Sequence, residues 1–308
     1  MALLLHVPRD PQLFVAEFRR LLPSLEVRVW PEIGDPAEIE FAAVCRIPEG
    51  VLGTLPRLRF VASLLAGLEH LVSSPEIPAH LPIVRTGSEG GDPSITEYVL
   101  LHVLRHHRQM PAYALAQQQG IWKPLPQPAV SGRSVGFLGL GVLGRAAARA
   151  VRDMGFTVLA WTRSPRVEPG IECHSGQEGL AAMLPRTQIL VNMLAATAET
   201  ENIVDARLLG RLPAGAQFIN VARGQHVVDG DLIAALDSGH LAAATLDVFR
   251  TEPLPAQDPL WRHPKITIMP HVARKLRAEE AVPSVIENIL RATAGRPLAM
   301  LVDRQRGY

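Results

Sequence analysis

Three short segments carry side chains able to move a proton and grip a carboxylate. Asn220–Gly224 contains Arg223, Leu246–Leu254 contains Asp247 and Glu252, and Met269–Ala273 contains His271. An imidazolium can protonate an oxygen on which negative charge is building. A carboxylate beside it favours the protonated form. Arginine meets a carboxylate as a planar fork, which lysine cannot do. Each residue also has a bland reading. Arg223 could serve a loop salt bridge, His271 could pack in a turn after Pro270, Glu252-Pro253 could start a loop, and Asp247 could be a buried cap.

A second kind of chemistry is written in Gly139-Leu140-Gly141-Val142-Leu143-Gly144. A GxGxxG string alone is weak evidence. Here the apolar run Val135–Leu138 precedes it as a strand, and Val142–Met154 follows as an alanine-rich helix. That context predicts a dinucleotide-binding turn. Gly139 allows the tight turn, Gly141 the approach of a pyrophosphate, and Gly144 close packing of helix on strand. The amides that open the helix at Val142 and Leu143 would face the phosphates.

The usual acid that holds an adenosine ribose stands about 20 residues further on, at the end of the next strand. Here that strand ends Trp161-Thr162-Arg163-Ser164, with Arg166 nearby and no acid. A guanidinium grips a 2′-phosphate that an acid would repel. The expected cofactor is NADP(H) in preference, with NAD(H) possible. A solvated loop arginine is the plain alternative.

The elements that must position these groups follow from periodicity. Leu3–Val7, Val27–Trp30, Phe41–Cys45, Phe60–Leu65 and Ile83–Arg85 read as strands, with helices or turns at Gln12–Leu22 and Glu49–Leu55 between them. One long helix is expected over Ser94–Gln119, started by Asp92 and Pro93, and then a proline-bearing linker to Arg133. A second alternation places strands at Val135–Leu138, Thr157–Trp161, Ile189–Met193, Phe218–Val221, Ala243–Val248 and Ile266–Met269, with helices such as Leu143–Met154 and Gly230–Ser238. Alternation of this kind predicts α/β architecture with parallel sheets. The candidate residues then fall at the carboxyl ends of strands, where open sheets bind ligands.

Composition sets outer bounds. The 308 residues correspond to about two domains. Hydrophobic residues are 47% and charged residues 20%, which is ordinary for a globular protein. Lys plus Arg number 31 against 30 for Asp plus Glu, so no basic field invites nucleic acid or an anionic membrane. Cys45 and Cys173 make no disulfide framework. No signal-like start and no apolar run of about 18 residues stand out, so a cytoplasmic protein without a membrane partner is expected.

With these motifs in order, the chain resembles the D-isomer-specific 2-hydroxyacid dehydrogenase family, and within it the glyoxylate/hydroxypyruvate reductase A branch. The resemblance is dense in the second half and looser in the first. Trp122–Leu125, Trp161–Ser164, Pro259–Pro264 and the tail from Val302 to Tyr308 carry the likeness to the branch. It implies two flavodoxin/Rossmann-like doubly wound parallel-sheet domains with an interdomain cleft. A substrate-binding domain of 1–94 plus 277–308 and a dinucleotide domain of 95–276 follow, with a homodimer built around the long helix. It implies Arg223 on the substrate carboxylate, His271 as general acid and Glu252 as its partner. Ala66 and Gly67 would meet the substrate with Arg223 and His271. Trp161, Arg163, Ser164, Thr197, Ala222 and Asp247 would join the glycine turn around the cofactor. The implied reaction is NADPH-dependent reduction of a small 2-oxo acid to the D-2-hydroxy acid.

Departures bear on the substrate. Leu65 replaces the first glycine of a Gly-Ala-Gly pattern, and Ala195 stands where the family commonly has proline. Cys45-Arg46 occupies a place where the branch often has an aromatic. Arg274, Lys275 and Arg277 follow the histidine, where small residues are common. They suggest either a solvated helix start or recognition of a larger or doubly anionic acid. A non-catalytic dinucleotide sensor is the rival from another class. His102 and His106 have i,i+4 spacing with His107 adjacent, but no HExxH pattern accompanies them, so no metal is expected.

Overall fold

The computed structural model describes residues 1–46, 50–65, 67–72, 74–87, 90–274 and 277–304. By its contacts the chain divides into two compact units, Met1–Glu89 with Leu276–Tyr308, and Gly90–Lys275. Residues 90–94, expected with the first unit, therefore pack with the second. Gly91 lies against the helix that follows the glycine turn, so close that a Cβ would meet Ala146 at 2.7 Å.

The first unit contains β1 (Ala2–His6), α1 (Pro11–Leu21), β2 (Glu26–Val29), β3 (Ile39–Val44), β4 (Phe60–Ser63), α2 (Glu69–Val72) and β5 (Ile83–Arg85). Its sheet runs β2-β1-β3-β4-β5, with every pair parallel. That is the flavodoxin-like order. Both faces are buried, so alternate side chains feed two cores. Leu3, Leu5, Phe41, Ala43 and Phe60 point into one. Leu4, Ala42, Val44 and Val61 point into the other. The returning C-terminal segment supplies a helix to the first core, where Val282, Val285 and Ile289 join Phe14 and Phe18 of α1. Burying each such side chain contributes about 1.5–3 kcal/mol.

The second unit begins with α3 (Pro93–His107) and α4 (Met110–Gln118). The single helix expected over 94–119 is thus two. Gln109 turns left-handed at φ 58°. Pro111 cannot donate an amide to the preceding turn, and its ring would crowd the carbonyl of His107. Then come β6 (Ser134–Leu138), α5 (Val142–Asp153), β7 (Thr157–Thr162), β8 (Glu172–Ser175), α6 (Gly176–Met183), β9 (Ile189–Asn192), α7 (Ala206–Leu209), β10 (Ala216–Asn220), α8 (Asp229–Asp237), β11 (Leu241–Leu246) and β12 (Ile266–Ile268). The C-terminal α9 (Ala278–Thr293) belongs to the first unit. Strand β8 was not expected, because Glu-Cys-His-Ser is a short polar edge with no apolar alternation.

The parallel order β12-β11-β10-β9-β6-β7-β8 is that of a doubly wound dinucleotide fold, with one further edge strand. The order in which strands are added reverses between β6 and β9. The carboxyl ends of these two strands carry the glycine turn and the 195–200 loop. No helix among the described residues is long and apolar enough to cross a membrane.

Candidate active site

The glycine turn shows a different constraint at each glycine. Gly139 has φ 95°, and a Cβ there would lie 2.8 Å from the Met193 carbonyl oxygen. A Cβ on Gly144 would lie 2.4 Å from the Gly139 oxygen. At Gly141 no other heavy atom lies within 4 Å of where a Cβ would be, so that side of the backbone is open. Gly141 is also the N-cap of α5, whose first turn includes Val142 and Leu143. Helix-opening amides lack intrahelical acceptors and favour an anion. A tight turn, an open face and an amide-rich end together fit a pyrophosphate.

The end of β7 is ordered beside this turn. Trp161 Nε1 donates to the Gly176 carbonyl at 2.8 Å, and the Thr162 hydroxyl to the Ser164 carbonyl at 2.8 Å. Arg166 donates to the carbonyl of Leu140, inside the glycine turn. Arg163 stands half-exposed at the strand end, paired with Glu199 at 3.0 Å. Thr197 lies on the 195–200 loop, its amide bonded to the Thr200 hydroxyl at 2.9 Å. Ala196, Thr197, Ala198, Glu201, Gln225 and His226 line a depression of about 300 Å³.

Arg223 is placed by a buried polar network at the ends of β9 and β10. Asn192 Nδ2 lies 3.0 Å from both Asn220 Oδ1 and His226 Nδ1. Asn220 in turn donates to the Arg223 carbonyl at 3.0 Å and accepts from the Ala222 amide at 3.2 Å. All three network residues are fully buried. Asn192 and His226 were not anticipated. The available signal was a polar amide closing two otherwise apolar strands. Ala222 is buried beside Arg223, whose Nη1 donates to the Ala222 carbonyl at 2.6 Å.

His271 and Glu252 come together. His271 Nδ1 lies 2.7 Å from Glu252 Oε2, and Glu252 Oε1 accepts from the Phe249 amide at 2.9 Å. The carboxylate is therefore anchored by the backbone at one oxygen and holds the imidazole with the other. This fixes the ring and commits Nδ1 to Glu252, so Nε2 is the nitrogen left for other chemistry.

Asp247 governs that geometry from beneath. Its carbonyl accepts from the His271 amide at 2.9 Å. Its carboxylate accepts from the Val272 and Ala273 amides at 2.9 and 3.0 Å, and from the Tyr98 hydroxyl at 3.0 Å. Three successive amides thus wrap one residue, and His271 sits at φ 52°. A non-glycine residue held there costs on the order of 1–3 kcal/mol, so the surroundings must impose it. Asp247 is 1% exposed, as the buried-cap reading requires, and its carboxylate holds the histidine turn. Tyr98 was missed by the sequence reading. Burial and the Asp247 carboxylate push its phenol above the usual range.

Other expected groups are placed differently. Arg274 Nε lies 2.5 Å from Asp92 Oδ2, with Asp92 6% exposed. Its guanidinium is thus engaged through Nε inside its own unit. Lys275 and Ala66 lie outside the described residues. Gly67 follows β4 in the first unit, with Leu65 accepting at its carbonyl from the Ser63 hydroxyl at 3.0 Å. His102, His106 and His107 are buried on α3, with His106 Nε2 against the Thr245 hydroxyl at 3.0 Å.

Residues 100–273 match the model of the D-isomer specific 2-hydroxyacid dehydrogenase NAD binding domain. The chain belongs to the D-isomer specific 2-hydroxyacid dehydrogenase family. It is 40% identical, over 93% of each chain, to glyoxylate/hydroxypyruvate reductase A of Yersinia enterocolitica. Among solved structures it resembles a family member from Xanthobacter autotrophicus Py2 in complex with NADPH and MES, with TM-score 0.95, 39% identity and 100% and 99% of the two chains covered. It also resembles the NADPH-dependent glyoxylate/hydroxypyruvate reductase of Sinorhizobium meliloti in complex with NADP and sulfate, with TM-score 0.92, 34% identity and the same coverage. Membership makes the chain an oxidoreductase whose second unit holds a nicotinamide dinucleotide.

Proposed function

We propose that the protein reduces a small 2-oxo acid of the glyoxylate or hydroxypyruvate kind to the D-2-hydroxy acid, with NADPH as the hydride donor. The observation that carries the reading is the His271–Glu252 pair, held by Asp247 at the sheet edge that also bears Arg223. When bound, the reduced nicotinamide supplies a hydride to the carbonyl carbon. The protein's own groups manage the charge that results. Arg223 forks onto the substrate carboxylate and lies along its carbonyl. His271 Nε2 gives a proton to the carbonyl oxygen as that oxygen becomes an alkoxide. Glu252 keeps the ring oriented and holds the proton on Nδ1. Arg163 grips the 2′-phosphate, with no acid at the end of β7 to repel it.

The reading includes self-association through α3, α4 and the segment beyond. Leu101, Met110, Ile121 and Trp122 are all exposed there and offer apolar side chains to a second copy.

The test is NADPH oxidation across a panel of short, bulky and dicarboxylic 2-oxo acids. Short acids should turn over best, and H271A should lower turnover by about 10²–10⁴-fold while NADPH still binds. A variant with parental turnover refutes His271 as the acid. Tight NADPH binding with no turnover on any acid refutes the enzyme reading in favour of a sensor.

A further inference from the structure

Opposite charges meet across the mouth of the glycine turn. Arg163 follows β7 and Glu199 lies on the loop after β9, while β6 with its glycine turn runs between those two strands. Arg163 Nη2 lies 3.1 Å from Glu199 Oε1 and 3.0 Å from Oε2. The loop presenting Glu199 is itself ordered, since the Thr200 hydroxyl donates to the Ala195 carbonyl at 2.8 Å. The two side chains remain 53% and 70% exposed, so the pair is screened by water and easily exchanged.

We propose that Glu199 is a specificity-determining residue, an internal stand-in for the 2′-phosphate that Arg163 receives. The proposal rests on the NADPH reading of Arg163. A phosphate monoester carries about 1.5–2 negative charges near neutrality. It competes for the guanidinium already facing the Glu199 carboxylate. Once the phosphate is bound, Glu199 is left beside a like charge. Glu199 therefore lowers affinity for the phosphorylated dinucleotide and leaves the unphosphorylated one nearly untouched, because NAD⁺ brings nothing for Arg163 to exchange. The protein thus retains its NADPH preference while holding the cofactor less tightly than Arg163 alone would.

The measurement is calorimetric binding of NADP⁺ and NAD⁺ to the full chain, at low and high ionic strength. E199Q keeps the shape and removes the charge. It should tighten NADP⁺ about three- to tenfold at low salt and change NAD⁺ by less than about twofold. The gain should shrink at high salt. R163Q should weaken NADP⁺ by about tenfold or more, and adding E199Q to it should recover less than E199Q gains in the parent, because only the like-charge repulsion is then left to relieve. If R163Q binds NADP⁺ as the parent does, the NADPH reading of Arg163 fails. If R163Q weakens NADP⁺ but E199Q leaves it unchanged, or tightens NAD⁺ equally, the role of Glu199 is overturned and that of Arg163 stands.

Discussion

Gly224 joins the two halves of the proposed catalytic machinery, and replacing it with alanine tests their coupling. An ideal Cβ on Gly224 lies 1.9 Å from the Phe249 carbonyl carbon and 2.2 Å from both the Phe249 oxygen and the Arg250 nitrogen. These are backbone atoms, so no side chain can swing aside. Reaching the 3.0 Å that real Cβ contacts respect requires a relative backbone shift of about 1 Å. On one side the shift displaces Arg223. On the other it displaces the Phe249 amide that anchors Glu252, and hence His271. A misplacement of about 1 Å at reacting groups costs on the order of 10²-fold in rate, and overpacking of this kind costs about 1–3 kcal/mol in stability. G224A should therefore lose about 10²-fold in turnover on the best 2-oxo acid while its circular dichroism stays parental. The control is G230A, near the start of α8, where a Cβ meets nothing within 4 Å. It should keep its activity and melt no lower. G224A with turnover within about threefold of the parent and an unchanged Tm would refute the coupling, since ~1 Å shifts normally cost far more.

Two further outcomes follow from buried charge. Burial, then the charge of Arg105, lowers the His102 imidazole to about 4, and burial with Arg105, His102 and Arg133 lowers His106 to about 3. The unfolded chain, with imidazoles near 6.5, binds these protons first, so stability falls as pH drops from about 6.5 toward 4, by up to about 3 kcal/mol for His102. Urea midpoints between pH 7 and 4.5 should show this decline, with a shallower slope in His102→Leu; equal slopes would exclude His102 as a contributor. Burial raises the Asp92 carboxyl, but the hydrogen bonds from Ser94 and Arg274 outweigh it and hold it below the usual range. Asp92→Asn leaves the Arg274 guanidinium partly buried without its counter-charge and should cost about 3–5 kcal/mol in chemical denaturation. A loss under about 1 kcal/mol would show that solvent replaces the partner, as at exposed pairs.

Much of this molecule is local and was legible as such. Alternation of apolar residues placed eleven of the strands within a residue or two, because a strand buried on both faces needs a continuous apolar run between turn residues. Strand β8 escaped because an edge strand needs no such run. The break at Gln109 was missed because Pro111 near a helix start and Pro111 inside a helix look alike until the chain direction is known. The candidate acid, base and arginines were visible by type and order. Glu252 as the partner of His271 came with the family resemblance, but Tyr98 on Asp247, Asp92 on Arg274 and Glu199 on Arg163 were not legible, because partners are chosen by proximity in space.

The sequence alone determined the glycine turn, the absence of an acid after β7 and the placement of Arg223, Glu252 and His271 at strand ends. Each depends on residue type and on periods of two or a few residues. Tertiary structure decided what those residues do there. Tyr98 reaches Asp247 across 149 residues, and Arg274 reaches Asp92 across 182. Only the strand order brings such positions together, since parallel crossovers align strand ends that are far apart in the chain. That alignment makes Asp247 the clamp of the histidine turn, pairs Arg274 with Asp92, and sets Glu199 against Arg163.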